Sequence, residues 1–315
     1  TETVLYSFKG GSDGINPYAG LIADKEGALY GTTYKGGTGG GYGTVFKLTP
    51  PDKGQTAWTE TVLYSFKGGS DGINPYAGLI ADKDGALYGT TYFGGTGGYG
   101  TVFKLTPPAK GQTAWTPAVL YSFKGSDGAY PYAGLIADKE GALYGTTFQG
   151  GAGGCQNGCG TVFKLTPAAK GQTAWTETVL RSFCSQPTCS GAYPYASLIA
   201  DKESALYGTT YGGAGEGFGT VFKLTRPAMG QTAWTESALY SFKGGSDGAS
   251  PRADLIADKN AVLYSTTIFG GGGSCQYGCG TVFKLDLCPK PKLRDRHEND
   301  EDHDHNGCPV FVSEE

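Results

Sequence analysis

At 315 residues, with 55 Gly, 21 Tyr and one Met, the chain has the composition of short strands and tight turns, since glycine is costly inside a helix and aromatics suit a half-buried pleated surface. A formal net charge of −4 gives no broad basic field for phosphate backbones, and no apolar run is long enough to span a bilayer; neither nucleic-acid binding nor membrane insertion is expected. Eight Cys suit an oxidising compartment, and a start at Thr1 with neither initiator Met nor apolar leader predicts an exported, processed product.

Residues 1–8 read as a strand. A Gly-rich loop follows, and then four strand candidates: A at 20–24, B at 28–34, C at 43–49 and D at 59–66. The A–B connection, Asp-Lys-Glu-Gly, is a tight hairpin turn in which Asp opens the turn and Gly supplies positive φ. The segment from Glu2 to Trp58 then returns almost unchanged from Glu60 to Trp115. The marker Leu-Ile-Ala-Asp ends at Asp24, Asp82, Asp138, Asp201 and Asp258, which counts five units. Four antiparallel strands make one propeller blade.

The fifth unit supplies A (254–258), B (262–268) and C (280–285), but no D strand follows, whereas residues 1–8 are a D strand without a unit. Pairing the two would close a ring and remove two exposed edges. The expected fold is therefore an all-β, five-bladed β-propeller over 1–285, with four antiparallel strands per blade and the N-terminal strand supplying the outer strand of the last blade. Residues 286–315 form a basic-then-acidic tail.

Leu-Tyr-Gly-Thr-Thr, a Gly-rich loop, and Gly-Thr-Val-Phe-Lys-Leu-Thr-Pro recur over 1–285. They resemble the GloVer-type tandem repeat of bacterial extracellular and surface-anchored proteins. The resemblance implies export and repeat architecture, and brings no reaction or catalytic residues with it. Departures are Arg181 for the D-strand Tyr, Ser265 for the Gly of Leu-Tyr-Gly-Thr-Thr, and a tail unlike a hydrophobic sorting signal.

Strand order puts the D–A and B–C loops on one face, where recognition loops are usual. There Asp13, Asp71, Asp127 and Asp247 recur at one position, and Tyr18, Tyr76, Tyr132 and Tyr195 at another, with Arg252 in place of the fifth Tyr. One reading is a ring of shallow glycan sites, an aromatic platform beside a carboxylate. The other is that Asp-Gly makes the turn and Tyr packs between blades. Trp58, Trp115, Trp175 and Trp234 are expected to pack between blades. Asp254, beside Arg252, is the candidate for acid chemistry on an inner strand.

Cys155 with Cys159, Cys184 with Cys189, and Cys275 with Cys279 are expected to bond within their own loops, leaving Cys288 for Cys308. Thiolate metal binding is the competing reading. In the tail, Asp302, Asp304 and Asn306 fit the first half of a calcium loop, but position twelve would be Ser313, so an EF-hand is not supported; a looser Ca²⁺ site, or a transition-metal site at His303 and His305, remains beside a solvated acidic strip. All three His lie in the tail, so no repeat can build a Ser-His-Asp or His-ligated zinc site. No cofactor is required. The expected function is a non-catalytic scaffold outside the cell or on its surface, a layer or filament subunit whose partners are itself or other surface proteins. A multivalent carbohydrate-binding propeller and a glycosidase using Asp254 are the alternatives.

Overall fold

The computed structural model describes residues 1–184, 191–213, 217–288 and 308–311. Blade 1 is β1 (Ile22–Ala23), β2 (Leu29–Thr33), β3 (Thr44–Thr49) and β4 (Thr59–Ser65), hydrogen-bonded antiparallel in chain order. Blade 2 repeats this with β5 (Ile80–Ala81), β6 (Leu87–Thr91), β7 (Thr101–Thr106) and β8 (Thr116–Ser122). Blade 3 comprises β9 (Ile136–Ala137), β10 (Leu143–Thr147), β11 (Thr161–Thr166) and β12 (Thr176–Ser182); blade 4 comprises β13 (Ile199–Ala200), β14 (Leu206–Thr210), β15 (Thr220–Thr225) and β16 (Thr235–Ser241). The inner strand is only two residues long, shorter than the sequence predicts. The segment before it instead bridges onto the B–C loop, Ile15 to Lys35 and Ile73 to Phe93, which puts the D–A and B–C loops on one face as expected.

Each outer pair carries a β-bulge. Val45 faces Tyr64 but Phe46 faces Val62, so Leu63 is the extra residue, and the same shift recurs in blades 2, 3 and 4. The bulge adds local twist to the outer strand. The Gly of Leu-Tyr-Gly-Thr-Thr is explained by close approach: a Cβ on Gly145 would sit 2.7 Å from the Phe163 ring.

The core lies between blades. Val45 of blade 1 clusters with Phe66 and with Leu79, Leu87, Phe103 and Leu105 of blade 2, and Trp115 packs against that cluster as expected. Each outer-strand Phe meets the C-strand Phe of the next blade edge to face at 5.1 Å: Phe66 on Phe103, Phe123 on Phe163, Phe183 on Phe222, Phe242 on Phe283. A backbone link accompanies the apolar one. Asn74, Tyr130, Tyr193 and Ser250 all have φ near +60°, and each donates its N–H to a carbonyl of the preceding blade's B–C loop, at Tyr42, Tyr99, Cys159 and Phe218. Left-handed non-glycine residues are costly, so their recurrence marks this link as a fixed part of the blade-to-blade joint.

The last sheet departs from the pattern, and the expected closure is not found. β17 (Ala249–Pro251) and β18 (Ile256–Ala257) both pair with β19 (Val262–Phe269), and β20 (Thr281–Asp286) pairs with its other edge. Residues 1–8 form no strand and make no hydrogen bond to β20 among the described residues. They lie instead on blade 1, with Phe8 on Phe46 at 5.0 Å. The chain after β20 turns back along the other side: Leu287 donates to Ala261 and packs with Phe311 against the core between blades 4 and 5, and Phe311 bridges Asp201. Ser265 adds to the irregularity, because its hydroxyl takes the Ala253 carbonyl at 3.1 Å, the acceptor that the buried, unpartnered Thr209 hydroxyl would use by analogy with Thr146 on Ala196.

Candidate functional site

The recurrent loop aspartates are staples. Asp71, Asp127 and Asp247 accept from the outer-strand hydroxyls of Tyr64, Tyr121 and Tyr240, and Asp13 from the Tyr6 hydroxyl of the N-terminal segment, at 2.5–3.0 Å. They also accept from the backbone N–H of Lys9, Lys67, Lys124 and Lys243. Unit four shows the dependence: where Arg181 replaces the Tyr, the Asp is lost too, and Arg181 pairs instead with Glu236. Asp127→Ala is expected to cost about 1 kcal/mol, because it leaves the half-buried Tyr121 hydroxyl and the Lys124 N–H without their acceptor, which urea unfolding would measure.

The second Asp series belongs to the A–B hairpins. Asp24 accepts from the N–H of Glu26 and Ala28 and from the Tyr30 hydroxyl, with Lys47 at 3.8 Å. Burial alone would raise its carboxyl, but these donors and Lys47 outweigh it and hold it below the ordinary range, as at Asp82.

The tyrosine series does come together. Tyr18 stacks on Tyr76 at 5.1 Å, Tyr76 meets Tyr132 at 4.2 Å, and Tyr132 meets Tyr195 at 5.0 Å. Arg252 completes the series, its guanidinium carbon 4.2 Å from the Tyr195 ring centre and 5.8 Å from that of Tyr132. The tyrosines thus form one continuous aromatic cluster, and each Asp is engaged by its own unit's Tyr hydroxyl and Lys N–H, which matches the reading of Asp as a turn residue and Tyr as inter-blade packing. Tyr34, Tyr92, Phe148 and Tyr211, which follow strand B, form a second tier against it. Sequence reading did not find this tier; the signal was an aromatic after Leu-Tyr-Gly-Thr-Thr in four units.

Asp254 links two inner strands. Its carboxylate accepts from the Ser197 N–H at 2.6 Å, and Ser197 in turn accepts from Gly134 N–H at 3.1 Å. The inner strands approach closely there: a Cβ on Gly78 would lie 3.4 Å from the Gly20 carbonyl.

Cys155–Cys159, Cys275–Cys279 and Cys288–Cys308 are bonded as expected. Cys184 is disulfide-bonded as well. Cys189, and the tail residues Asp302, His303, Asp304, His305 and Asn306, lie outside the described residues. Among the described residues no helix is long and apolar enough to cross a membrane.

The Gloeobacter/Verrucomicrobia repeat matches residues 1–155 and 152–309. The chain belongs to that family. Among curated proteins nothing matches this Gloeobacter/Verrucomicrobia repeat chain. Solved structures similar to it include a putative glucose dehydrogenase-type oxidoreductase of Thermus thermophilus, at 18% identity and TM-score 0.47 over 87% of this chain and 85% of that one. A gluconolactonase of Xanthomonas campestris follows at 14% identity and TM-score 0.45, covering 80% and 68%. PorZ, a surface component of the type-IX secretion system of Porphyromonas gingivalis, is similar at 18% identity and TM-score 0.47 over 85% of this chain and 33% of its own.

Blades 1 and 3 of this Gloeobacter/Verrucomicrobia repeat chain also bury an acid in the outer strand. Burial first, then neighbouring Asp13, pushes the Glu60 carboxyl up to about 7; burial and Asp127 do the same to Glu177. A group raised in the folded state favours folding at low pH, and that contribution is lost as pH climbs from the ordinary value of 4.5 through about 7. Asp24 and Asp82, held low, act in the opposite sense and lose their contribution below the ordinary 3.8. The melting temperature is therefore expected to peak between these ranges and to fall towards neutral pH. In the double variant Glu60→Gln, Glu177→Gln the fall above pH 4.5 should flatten, which calorimetry across pH would check.

Proposed function

We propose that the chain is a non-catalytic extracellular scaffold whose copies assemble head to tail, blade 5 of one docking on blade 1 of the next. The carrying observation is Val282. Its equivalents Val45, Val102, Val162 and Val221 are all 0% exposed, each covered by the following blade, whereas Val282 is 82% exposed.

Phe8 already covers Phe46 on blade 1, but other parts of that joint are open at both ends. Ile256 is 67% exposed although Ile22, Ile80, Ile136 and Ile199 pack on the next blade, and Thr266 is exposed where Thr32, Thr90, Thr146 and Thr209 are buried. On blade 1, Leu21 is 49% exposed, against 4% or less for Leu79, Leu135, Leu198 and Leu255. The Asn16 N–H, held at φ 60° like its counterparts, has no acceptor among the described residues, and its counterpart acceptor on blade 5 is the Cys279 carbonyl.

The occupant that fits this surface is blade 1 itself, because the same two faces meet four times within the chain. Residues 1–7 have the same sequence as β4, and β20 repeats β3 up to Asp286, so the β3–β4 register transfers directly: Val282 opposite Tyr6, Phe283 opposite Val4, Lys284 opposite Thr3. Strand addition satisfies the β20 edge, and each fully buried Val, Leu or Ile adds about 1.5–3 kcal/mol. A heterologous joint of this kind propagates into a filament or a multi-chain ring. The disulfides support the extracellular setting.

The test is native size against concentration, by light scattering after gel filtration. Species larger than the 32.7 kDa chain should appear and grow with concentration. A strictly monomeric species at high concentration would count against assembly.

A further inference from the structure

We infer that Arg252 and the tyrosines around it form a binding site for a carboxylate-bearing saccharide, a uronate unit of an acidic polysaccharide. The site goes beyond head-to-tail assembly and is read within a single copy, from Arg252, Tyr132 and Tyr195.

Four blades place Tyr at one position, and the four rings run in contact from Tyr18 to Tyr195. The fifth blade places Arg there. Its guanidinium carbon lies over the Tyr195 ring at 4.2 Å and 5.8 Å from the Tyr132 ring centre, a cation–π contact that uses none of its N–H donors. Arg252 is exposed and has no ion pair or hydrogen bond among the described residues. Asp254, two positions on, is the nearest acid in sequence, and it is engaged with the Ser197 N–H rather than with Arg252.

An unpaired guanidinium beside aromatic surface selects a particular ligand chemistry. The fork takes a carboxylate with two parallel hydrogen bonds. The half-buried Tyr132 and Tyr195 rings beside it take the apolar face of a pyranose ring. A neutral sugar would use only the second contact and a small carboxylate only the first, so a uronate is the ligand that uses both. Copies joined into a filament would present such sites in series and bind a polymer with avidity.

Calorimetric or NMR titration of the full chain with trigalacturonate, the matching neutral trisaccharide, and acetate tests this. Trigalacturonate should bind at least about tenfold more tightly than either control, with shifts at the Tyr132 and Tyr195 ring protons. The Arg252→Tyr variant restores the residue of the other four blades and should keep the fold, yet lose about tenfold or more in affinity. Arg252→Lys should lose most of that affinity too, since the ammonium cannot make the paired contact. The inference is overturned if wild type shows no binding up to about 10 mM trigalacturonate, an affinity below any useful recognition. It is also overturned if Arg252→Tyr binds as wild type does, or if acetate matches the trisaccharide. An arginine that only capped the aromatic stack would give the first of these results.

Discussion

Val282→Lys is expected to abolish assembly while leaving the isolated chain as stable as wild type. The side chain is 82% exposed, so within one copy the substitution is a surface change, worth within about 0.5 kcal/mol. In the joint it would put an unpaired ammonium where four sister valines are sealed from water, a penalty of about 3 kcal/mol or more and thus at least about a hundredfold in association. Val162→Lys supplies the contrast. That residue is 0% exposed inside the chain, and its replacement should unfold blades 3 and 4 or prevent expression of folded protein. Light scattering and thermal melts on the two variants distinguish an end face from an internal one. Equal melting losses in both would mean that Val282 is already covered within its own chain.

Phe163→Ala is expected to cost about 3–5 kcal/mol, the largest effect of a single truncation in the repeat. The ring is fully buried, meets Phe123 edge to face at 5.1 Å, and fills the space against Gly145 where a Cβ has no room. Phe283→Ala removes the same ring from blade 5, where one side is uncovered, and should cost less in dilute solution. The gap between the two variants should shrink as concentration rises and copies dock. Urea unfolding at two protein concentrations measures both quantities.

Much of this architecture was legible in the residues, for identifiable reasons. Alternating Val62, Tyr64 and Phe66 and the apolar Val45, Phe46 and Leu48, punctuated by Asp-Lys-Glu-Gly turns, specify short antiparallel strands, and repetition specifies how often. The cysteine pairs were readable because both members appear or vanish together between units. Closure was not readable in the same way. Complementarity between residues 1–7 and β20 states which edges match, and says nothing about whether they belong to one copy or two. The inner strand was overestimated because residues 20–24 read as one apolar run, although only Ile22 and Ala23 pair with β2. In the candidate site, the Asp and Tyr series were both visible, but a periodicity of one unit cannot tell that Asp127 turns outward to Tyr121 while Tyr132 turns to its fellow tyrosines. That distinction depends on which neighbour each side chain reaches in space.

Cross-linking between two singly substituted chains tests the head-to-tail joint most directly. In the β3–β4 register Lys47 lies opposite Thr61, so Lys284→Cys on one copy should lie opposite Thr3→Cys on the next, at a separation that a disulfide spans. Mixing the two variants under mild oxidation should give a covalent heterodimer, while the doubly substituted chain should give a ladder of oligomers. No heterodimer from the mixture, together with a doubly substituted chain that closes on itself as a monomer, would contradict assembly and place both strands in a single ring.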